Sequence, residues 1–250
     1  MDIIEAIAKR ISCRAFENTP IEQEKLDALA NEIALVNKES GLNFQLYGPR
    51  EDGFVIEMNA KMFSGNPQCY AAFVAPEGPI PEEKMGYYGE GFVLLATQLG
   101  LGTCWVASTY NRETTRVQLN EGEVLHDVVP IGYAPEKMPL KQRTIRKGIR
   151  ARSKKPEDMW QGPTPLAEAP EWIQACIDAV CKAPSAINEQ PVVFVQEKRS
   201  APIRAKLTQV KTGKEYTDLG IAKLHFELTA LECGIKASWE WGEGGAFKVS

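Results

Sequence analysis

The sequence predicts an α+β protein made of two related halves packed as an internal pseudo-dimer, and three observations lead there. Helical and alternating apolar patterns are mixed along the chain without the strict β-α-β alternation of a doubly wound sheet. A stretch near residue 100 recurs 134 positions later, pairing Phe92 with Phe226, Leu94 with Leu228, Ala96 with Ala230, Gly100 with Gly234, Leu101 with Ile235 and Trp105 with Trp239. Two unrelated core helices ending in glycine could share part of this, but the common Gly-(Leu/Ile)-x-x-x-Trp tail favours duplication. Finally, 250 residues with 44% apolar and 25% charged side chains suit one large globular domain or two small ones, and exclude collagen, coiled coil and wholesale disorder.

Asp2 and Glu5 form a capping pair for a first helix, with Ile3, Ile4, Ile7 and Ile11 at helical spacing. Thr19-Pro20-Ile21-Glu22 reads as a second helix start, Leu26, Leu29, Ile33 and Val36 as its buried stripe and Gly41 as its end. Strands are expected at Leu42–Leu46, Phe54–Met58, Tyr70–Ala75 and Val128–Tyr133, and a strong helix from Tyr88 to Leu99. Residues 134–170 differ: they hold six prolines, and nine Lys/Arg with no acid lie between Lys137 and Lys155. That segment is either a linker with a solvated basic surface or a site for a phosphate-bearing ligand. Beyond it come a helix at Trp172–Lys182, a strand at Val192–Val195 and a helix at Leu219–Cys233. The resulting division is a first half at 1–135, a basic, proline-rich connector at 136–169 and a second half at 170–250. The ending, Trp239 to Gly245, reads as a solvent-facing tail with one anchoring tryptophan, ahead of an aromatic clamp.

A net charge of −4 argues against nucleic-acid or anionic-membrane partners. The uncharged run Gly91–Asn111 is long enough to raise a membrane span, but its hydroxyl residues and its glycines at 100 and 102 favour a buried helix followed by an extended segment. Two acids precede the first base at the N-terminus, the reverse of a secretory signal, so a cytoplasmic protein is expected. Cys13, Cys69, Cys104, Cys176, Cys181 and Cys233 form no C-x-x-C and read as small buried hydrophobes. With only His126 and His225, neither a zinc site nor a histidine triad is supported, and chemistry falls to a borrowed cofactor.

Three segments can carry such a cofactor. In Arg10-Ile11-Ser12-Cys13-Arg14, alternate residues on extended backbone share one side, so two guanidiniums and a hydroxyl converge on an anion. Taken alone, the motif is better read as positive charge at a helix C-terminus. Ala183-Pro184-Ser185-Ala186-Ile187-Asn188-Glu189-Gln190-Pro191 is a rigid loop whose amide groups suit a flat polar heteroaromatic ring; an ordinary capped helix-to-strand connection is the plainer reading. Gly89-Glu90 leads through a helix to Gly100-Leu101-Gly102-Thr103-Cys104-Trp105, whose glycines allow close approach to a ligand or to a neighbouring strand.

Together these segments resemble the FMN-dependent nitroreductase family, most closely a single-chain branch with two half-like units in one polypeptide. The resemblance runs from Ile3 to about Trp239 and is sharp only at the three motifs. It implies a nitroreductase-like fold and makes Arg10, Ser12 and Arg14 contacts of the FMN phosphate, ribityl chain and pyrimidine edge. Pro184, Ser185, Ala186 and Asn188 would lie against the isoalloxazine ring, with Ala107 and Ser108 near its reactive nitrogen. Arg152-Ser153-Lys154-Lys155-Pro156 is similar to the family's phosphate-reaching basic triplet, which assigns Arg152 and Lys154 to the cofactor. In homodimeric members the first and second elements of one site come from opposite subunits. Here each occurs once, which implies one FMN per chain and a monomer. Val192 stands where the family often has Trp, and Ile11 where its common start has a second Arg. The implied activity is hydride transfer from NAD(P)H to a small electron-poor acceptor, a nitroaromatic or a quinone, with no dedicated acid or base. The alternatives are a flavin-binding or flavin-sensing module with little turnover and a structural protein without flavin.

Overall fold

The computed structural model describes residues 1–51, 53 and 55–249. Its helices are α1 (Ile3–Lys9), α2 (Gln23–Ser40), α3 (Pro79–Gln98), α4 (Leu140–Arg150), α5 (Glu171–Val180) and α6 (Glu215–Glu232). Its strands are β1 (Ala15–Phe16), β2 (Asn43–Tyr47), β3 (Ser64–Gly65), β4 (Cys69–Pro76), β5 (Gly102–Thr103), β6 (Glu123–Gly132), β7 (Trp160–Gln161), β8 (Val192–Val195), β9 (Arg204–Leu207), β10 (Ala237–Trp239) and β11 (Phe247–Val249). Among the described residues no helix is long and apolar enough to cross a membrane.

Two compact units interleave in sequence: Met1, Lys9–Glu77 and Phe92–Lys147 form the first, and Asp2–Ala8, Gly78–Gly91 and Gly148–Ser250 the second. The divisions fall inside α1, α3 and α4 and just ahead of α1 and α3. The halves at 1–135 and 170–250 concern duplication in the sequence, whereas these units concern packing. The first unit is built on an antiparallel sheet of order β2-β4-β6-β5, together with a short parallel pair, β1 with β3. Strand β4 lies at its centre, buried from Cys69 to Ala75, so it reads as a continuous apolar run rather than an alternation. Phe73 stacks on Phe44 at 4.2 Å and meets Trp105 and Phe92 edge-on at 5.0 and 5.9 Å. In the second unit β8 pairs in parallel with β7 and antiparallel with β9, and β10 and β11 form a hairpin. Phe194, Phe226, Trp239 and Phe247 make its aromatic centre.

The internal repeat survives in backbone detail. Gly100 and Gly234 both end their helices in the left-handed conformation, at φ 81° and 83°. Leu101 N–H donates to Ala96 O and Ile235 N–H to Ala230 O, each at 2.9 Å, the same closing bond 134 residues apart. A second correspondence lies within the second unit. A Cβ on Gly86 would meet Thr217 O at 2.0 Å, and a Cβ on Gly220 would meet Glu83 O at 1.9 Å. Positions 83 and 86 become 217 and 220 on the same shift, so each glycine sits against the counterpart of the other's neighbour. Such reciprocity is the mark of elements related by a two-fold.

Asp2 caps α1 as expected, its Oδ1 accepting from Glu5 N at 2.7 Å. Helix α2 starts at Gln23, later than the Thr19-Pro20 signal, because the Glu22 carboxylate is taken by Tyr133 Oη and Lys25 Nζ instead of capping. Of the strand expected at Phe54–Met58, Phe54 lies outside the described residues. The remainder makes only a bridge from Met58 to Tyr110, although Val55 and Ile56 are buried. Helix α3 begins nine residues before Tyr88, since Pro79 and Pro81 sit in its first turn, where no amide is required. The connector holds an unforeseen helix, α4: it has no proline between Pro139 and Pro156, and its apolar positions are too few to show periodicity. The ending is a hairpin rather than a solvent-facing tail, with Ala246 and Phe247 buried beside Trp239. Cys233, expected inside, is exposed just past α6.

Glu215 opens α6 from a buried position. Its Oε1 accepts from the amides of Lys211 and Thr212 and from Thr212 Oγ1. Burial opposes the charge, but the Thr212 and Lys211 amides outweigh it and hold the carboxyl below its ordinary value of 4.5. A depressed carboxyl contributes stability that is full above 4.5 and is lost as pH falls through the folded value. Acid titration of Glu215→Gln should therefore show a shallower loss of melting temperature below that pH than the parent; identical acid limbs would refute the assignment.

Candidate functional site

The Arg10–Phe16 segment follows α1 and is held from beneath by backbone. Cys13 N–H donates to Thr103 O at 2.7 Å, and Ser12 bridges Thr103 in parallel. A Cβ on Gly102 would lie 2.8 Å from Cys13 Sγ, so the close approach that this glycine allows is to the arginine segment itself. Cys104 lies within electrostatic reach of this segment. Burial pushes that thiol up, and Arg14, Arg10 and a hydrogen bond from Ser12 oppose the shift. Cys13 is pushed up to about 11, chiefly by burial. Both thiols stay protonated near neutrality and act as packing.

Ser12 and Arg14 line a small cleft together with Met138, Gln142 and Arg146. Arg14 is half-buried and has no carboxylate partner among the described residues. Gln142, on α4, is buried and donates from Nε2 to Arg14 O at 3.2 Å and to Met62 O at 2.9 Å. It ties the arginine segment to the stretch before β3. Arg10 does not line the cleft, and neither do Ala107 and Ser108. Those two lie in the bend between the Val106–Val128 and Met58–Tyr110 bridges, with Ala107 O accepting from Arg112 Nη2 at 3.2 Å.

The second unit brings the Pro184–Pro191 loop together with the Arg152–Pro156 element. Asn188 Nδ2 donates to Ile149 O at 3.2 Å and to Ser153 Oγ at 3.1 Å, and Lys154 N–H donates to Gln190 Oε1 at 2.8 Å. Arg152 is exposed; Lys154 is half-buried, and burial lowers its amine against the pull of Asp158 and Glu189. The Pro184–Pro191 loop is braced internally: Gln190 N–H donates to Ser185 Oγ at 2.9 Å, and Gln190 Nε2 to Cys181 O at 3.0 Å. Asp218, buried on α6, accepts Ala186 N–H on both oxygens, at 3.0 and 3.2 Å. The amide of Ala186 is therefore spent inside the protein rather than offered to a ring. Pro184 and Ser185 border a small recess with Asp218 and Gln190.

Gln142, Arg146, Asp218 and Gln190 were not singled out from the sequence as site residues. Gln142 and Arg146 belong to the unforeseen α4, where i,i+4 spacing puts both on one face. Asp218 carried no signal beyond being an acid at the start of an apolar helix. Glu90, from the third motif, is fully buried, with Oε1 3.0 Å from His225 Nε2; His225 Nδ1 faces Ala179 O at 3.1 Å. That pair lines neither the cleft nor the recess.

A family model described as "Putative TM nitroreductase" matches residues 2–230. A crystal structure from Thermotoga maritima MSB8, also described as a putative nitroreductase, aligns over 100% of this chain and 93% of its own at 20% identity, with a TM-score of 0.67. A nitroreductase family protein of Clostridium difficile 630 aligns over 59% of this chain and 92% of its own at 17% identity, TM-score 0.43. A nitroreductase of Bacteroides fragilis with bound FMN aligns over 56% of this chain and 92% of its own at 18% identity, TM-score 0.43. No curated protein matches the chain.

Proposed function

The chain belongs to the nitroreductase family whose model spans residues 2–230, and from that premise we propose that it is an FMN-dependent oxidoreductase. The proposed reaction takes electrons from NAD(P)H to a small electron-poor acceptor, nitroaromatic or quinone-like. The observation that carries this reading is the union of the Pro184–Gln190 loop with Ser153 and Lys154 through two hydrogen bonds, with a third from Asn188 to Ile149 O. Two motifs more than thirty residues apart, one suited to a ring and one to a phosphate, are there joined through the Asn188 and Gln190 side chains. The residues fit such a group. Arg14 is a half-buried cation without a carboxylate partner among the described residues, and Lys154 is an amine whose charged form burial disfavours until an anion arrives.

Bound FMN would supply two-electron acceptance and delivery at its ring. The chain's own part is to bind and orient. Arg10, Ser12 and Arg14 are the proposed contacts of the phosphate, ribityl chain and pyrimidine edge, and cations at that edge favour an anionic reduced ring. Arg152 and Lys154 are the proposed phosphate cations, Pro184, Ser185, Ala186 and Asn188 the ring-side loop, and Ala107 and Ser108 the backbone near the reactive nitrogen. Ala186 can serve only through its carbonyl or methyl, since its amide is held by Asp218. Each element occurs once, so one FMN per chain is expected, and a monomer of cytoplasmic location is the accompanying proposal.

The test is the visible spectrum of the purified protein, with flavin released by denaturation, identified and counted. One FMN per chain, bleached by NAD(P)H and recoloured by an acceptor, is the expected result. Flavin that binds but does not turn over would favour a sensing module. A colourless protein that FMN neither colours nor stabilises would end the flavin reading.

A further inference from the structure

Three of the four positions 187–190 in the Pro184–Pro191 loop hold non-glycine residues in the left-handed region: Ile187 at φ 46°, Asn188 at φ 61° and Gln190 at φ 46°. Asn is among the few non-glycine residues that visit that region readily, and here its amide is held by Ser153 and Ile149. Isoleucine does not, because a β-branched side chain crowds its own carbonyl there. Such strain persists only where the surroundings over-determine the backbone. They do so on both sides of Ile187: Ala186 is held by Asp218, Asn188 by Ile149 and Ser153, and Gln190 by Ser185, Cys181 and Lys154.

Folding gains little in return from the side chain, for Ile187 is 65% exposed. A strained residue with an exposed apolar side chain, in a loop fastened by its neighbours, is presented rather than packed. Glycine or asparagine would serve the backbone better. What isoleucine adds is an aliphatic surface, rigid at χ1 and held in one direction.

We infer that Ile187 is the acceptor-facing residue of the site, an apolar wall that selects aromatic acceptors with an uncharged hydrocarbon edge over small charged ones. This rests on the proposed function, in which the same loop lies against the flavin ring. Contact with an aliphatic side chain of this size is worth about tenfold in affinity. It should be felt by a naphthoquinone and not by ferricyanide.

The experiment is Ile187→Asn in the FMN-loaded protein, with Ile187→Gly alongside it should the first fail to purify. Relief of the left-handed strain should raise the melting temperature by about 2–4 °C. FMN affinity should stay within about threefold. The dissociation constant of 2-naphthol, read from its perturbation of the flavin band, and the KM for menadione should each rise about tenfold, with the KM for ferricyanide unchanged. A more stable variant with unchanged naphthol and menadione binding would overturn the inference, as would a less stable one, which would make Ile187 a packing residue. A parent that sediments as a dimer and a variant that does not would assign Ile187 to a contact between copies. Failure of the parent to bind FMN would instead sink the functional reading beneath it, and this inference with that reading.

Discussion

Gly220→Ala and Gly86→Ala are each expected to lower the melting temperature by about 6–12 °C, corresponding to a loss of roughly 3 kcal/mol. The reason is what an added methyl would meet. At Gly220 it would lie 1.9 Å from Glu83 O and 2.6 Å from Tyr87 N, and at Gly86 2.0 Å from Thr217 O. All three are backbone atoms of helices, so no side chain can rotate away and one helix has to move. Overpacking a core with a methylene usually costs about 1–3 kcal/mol, and a clash with backbone belongs at or above the top of that range.

The displacement reaches the site. Gly220 is two residues from Asp218, which holds the Ala186 amide. Moving α6 loosens the strained loop, so either alanine should also weaken FMN. The control is Gly148→Ala in α4, where an added Cβ has nothing within 4 Å. There alanine's helix preference alone should act, raising stability by up to about 1 kcal/mol. A Gly220→Ala protein melting within a degree of the parent would show that these helices do not approach as closely as the geometry requires.

How much of this was legible beforehand follows the type of signal. Asp2, Gly41, Gly100 and Gly234 act at helix ends through bonds a few residues long, and local sequence carries such information fully. The 134-residue repeat showed the duplicated helix ends but not the crossing of Gly86 with Gly220, because a glycine inside a helix looks the same whether it touches anything or not. Helix α4 was hidden by charge. Its five Lys/Arg leave Gln142 as its one buried residue, so no apolar stripe announced it. The site divided similarly. Residue types suited to phosphate and ring were visible as motifs. Gln142 and Asp218, which hold those motifs in shape, bond to main-chain atoms whose positions only the fold supplies. Glu22 shows the opposite failure, a good local capping signal overridden by a partner 111 residues away, Tyr133.

The second large effect belongs to Lys223. Its side chain and that of Glu83 are both fully buried, with Nζ 2.5 Å from Glu83 Oε1. The ammonium has three protons and the structure uses each: the other two go to Glu240 O at 2.9 Å and Gly242 O at 3.0 Å. Glu83 Oε2 accepts in turn from Gly242 N at 2.6 Å. Burial pushes the Glu83 carboxyl up and the Lys223 amine down, and the contact between them opposes both shifts. The pair thus fastens the turn between β10 and β11 to α3 and α6, and it does so next to the crossing of Gly86 and Gly220. Lys223→Met keeps the volume but strands a buried carboxylate and two carbonyls. The loss should be about 3–5 kcal/mol, or 10 °C or more in melting temperature. Glu83→Leu combined with Lys223→Met removes the stranded charge and leaves only backbone groups unpaired, so the double variant should be more stable than Lys223→Met alone. That ordering separates the two accounts of the site. If the double variant is the worse of the two, the lysine is held chiefly by packing and its carbonyl bonds, and the ion pair contributes little.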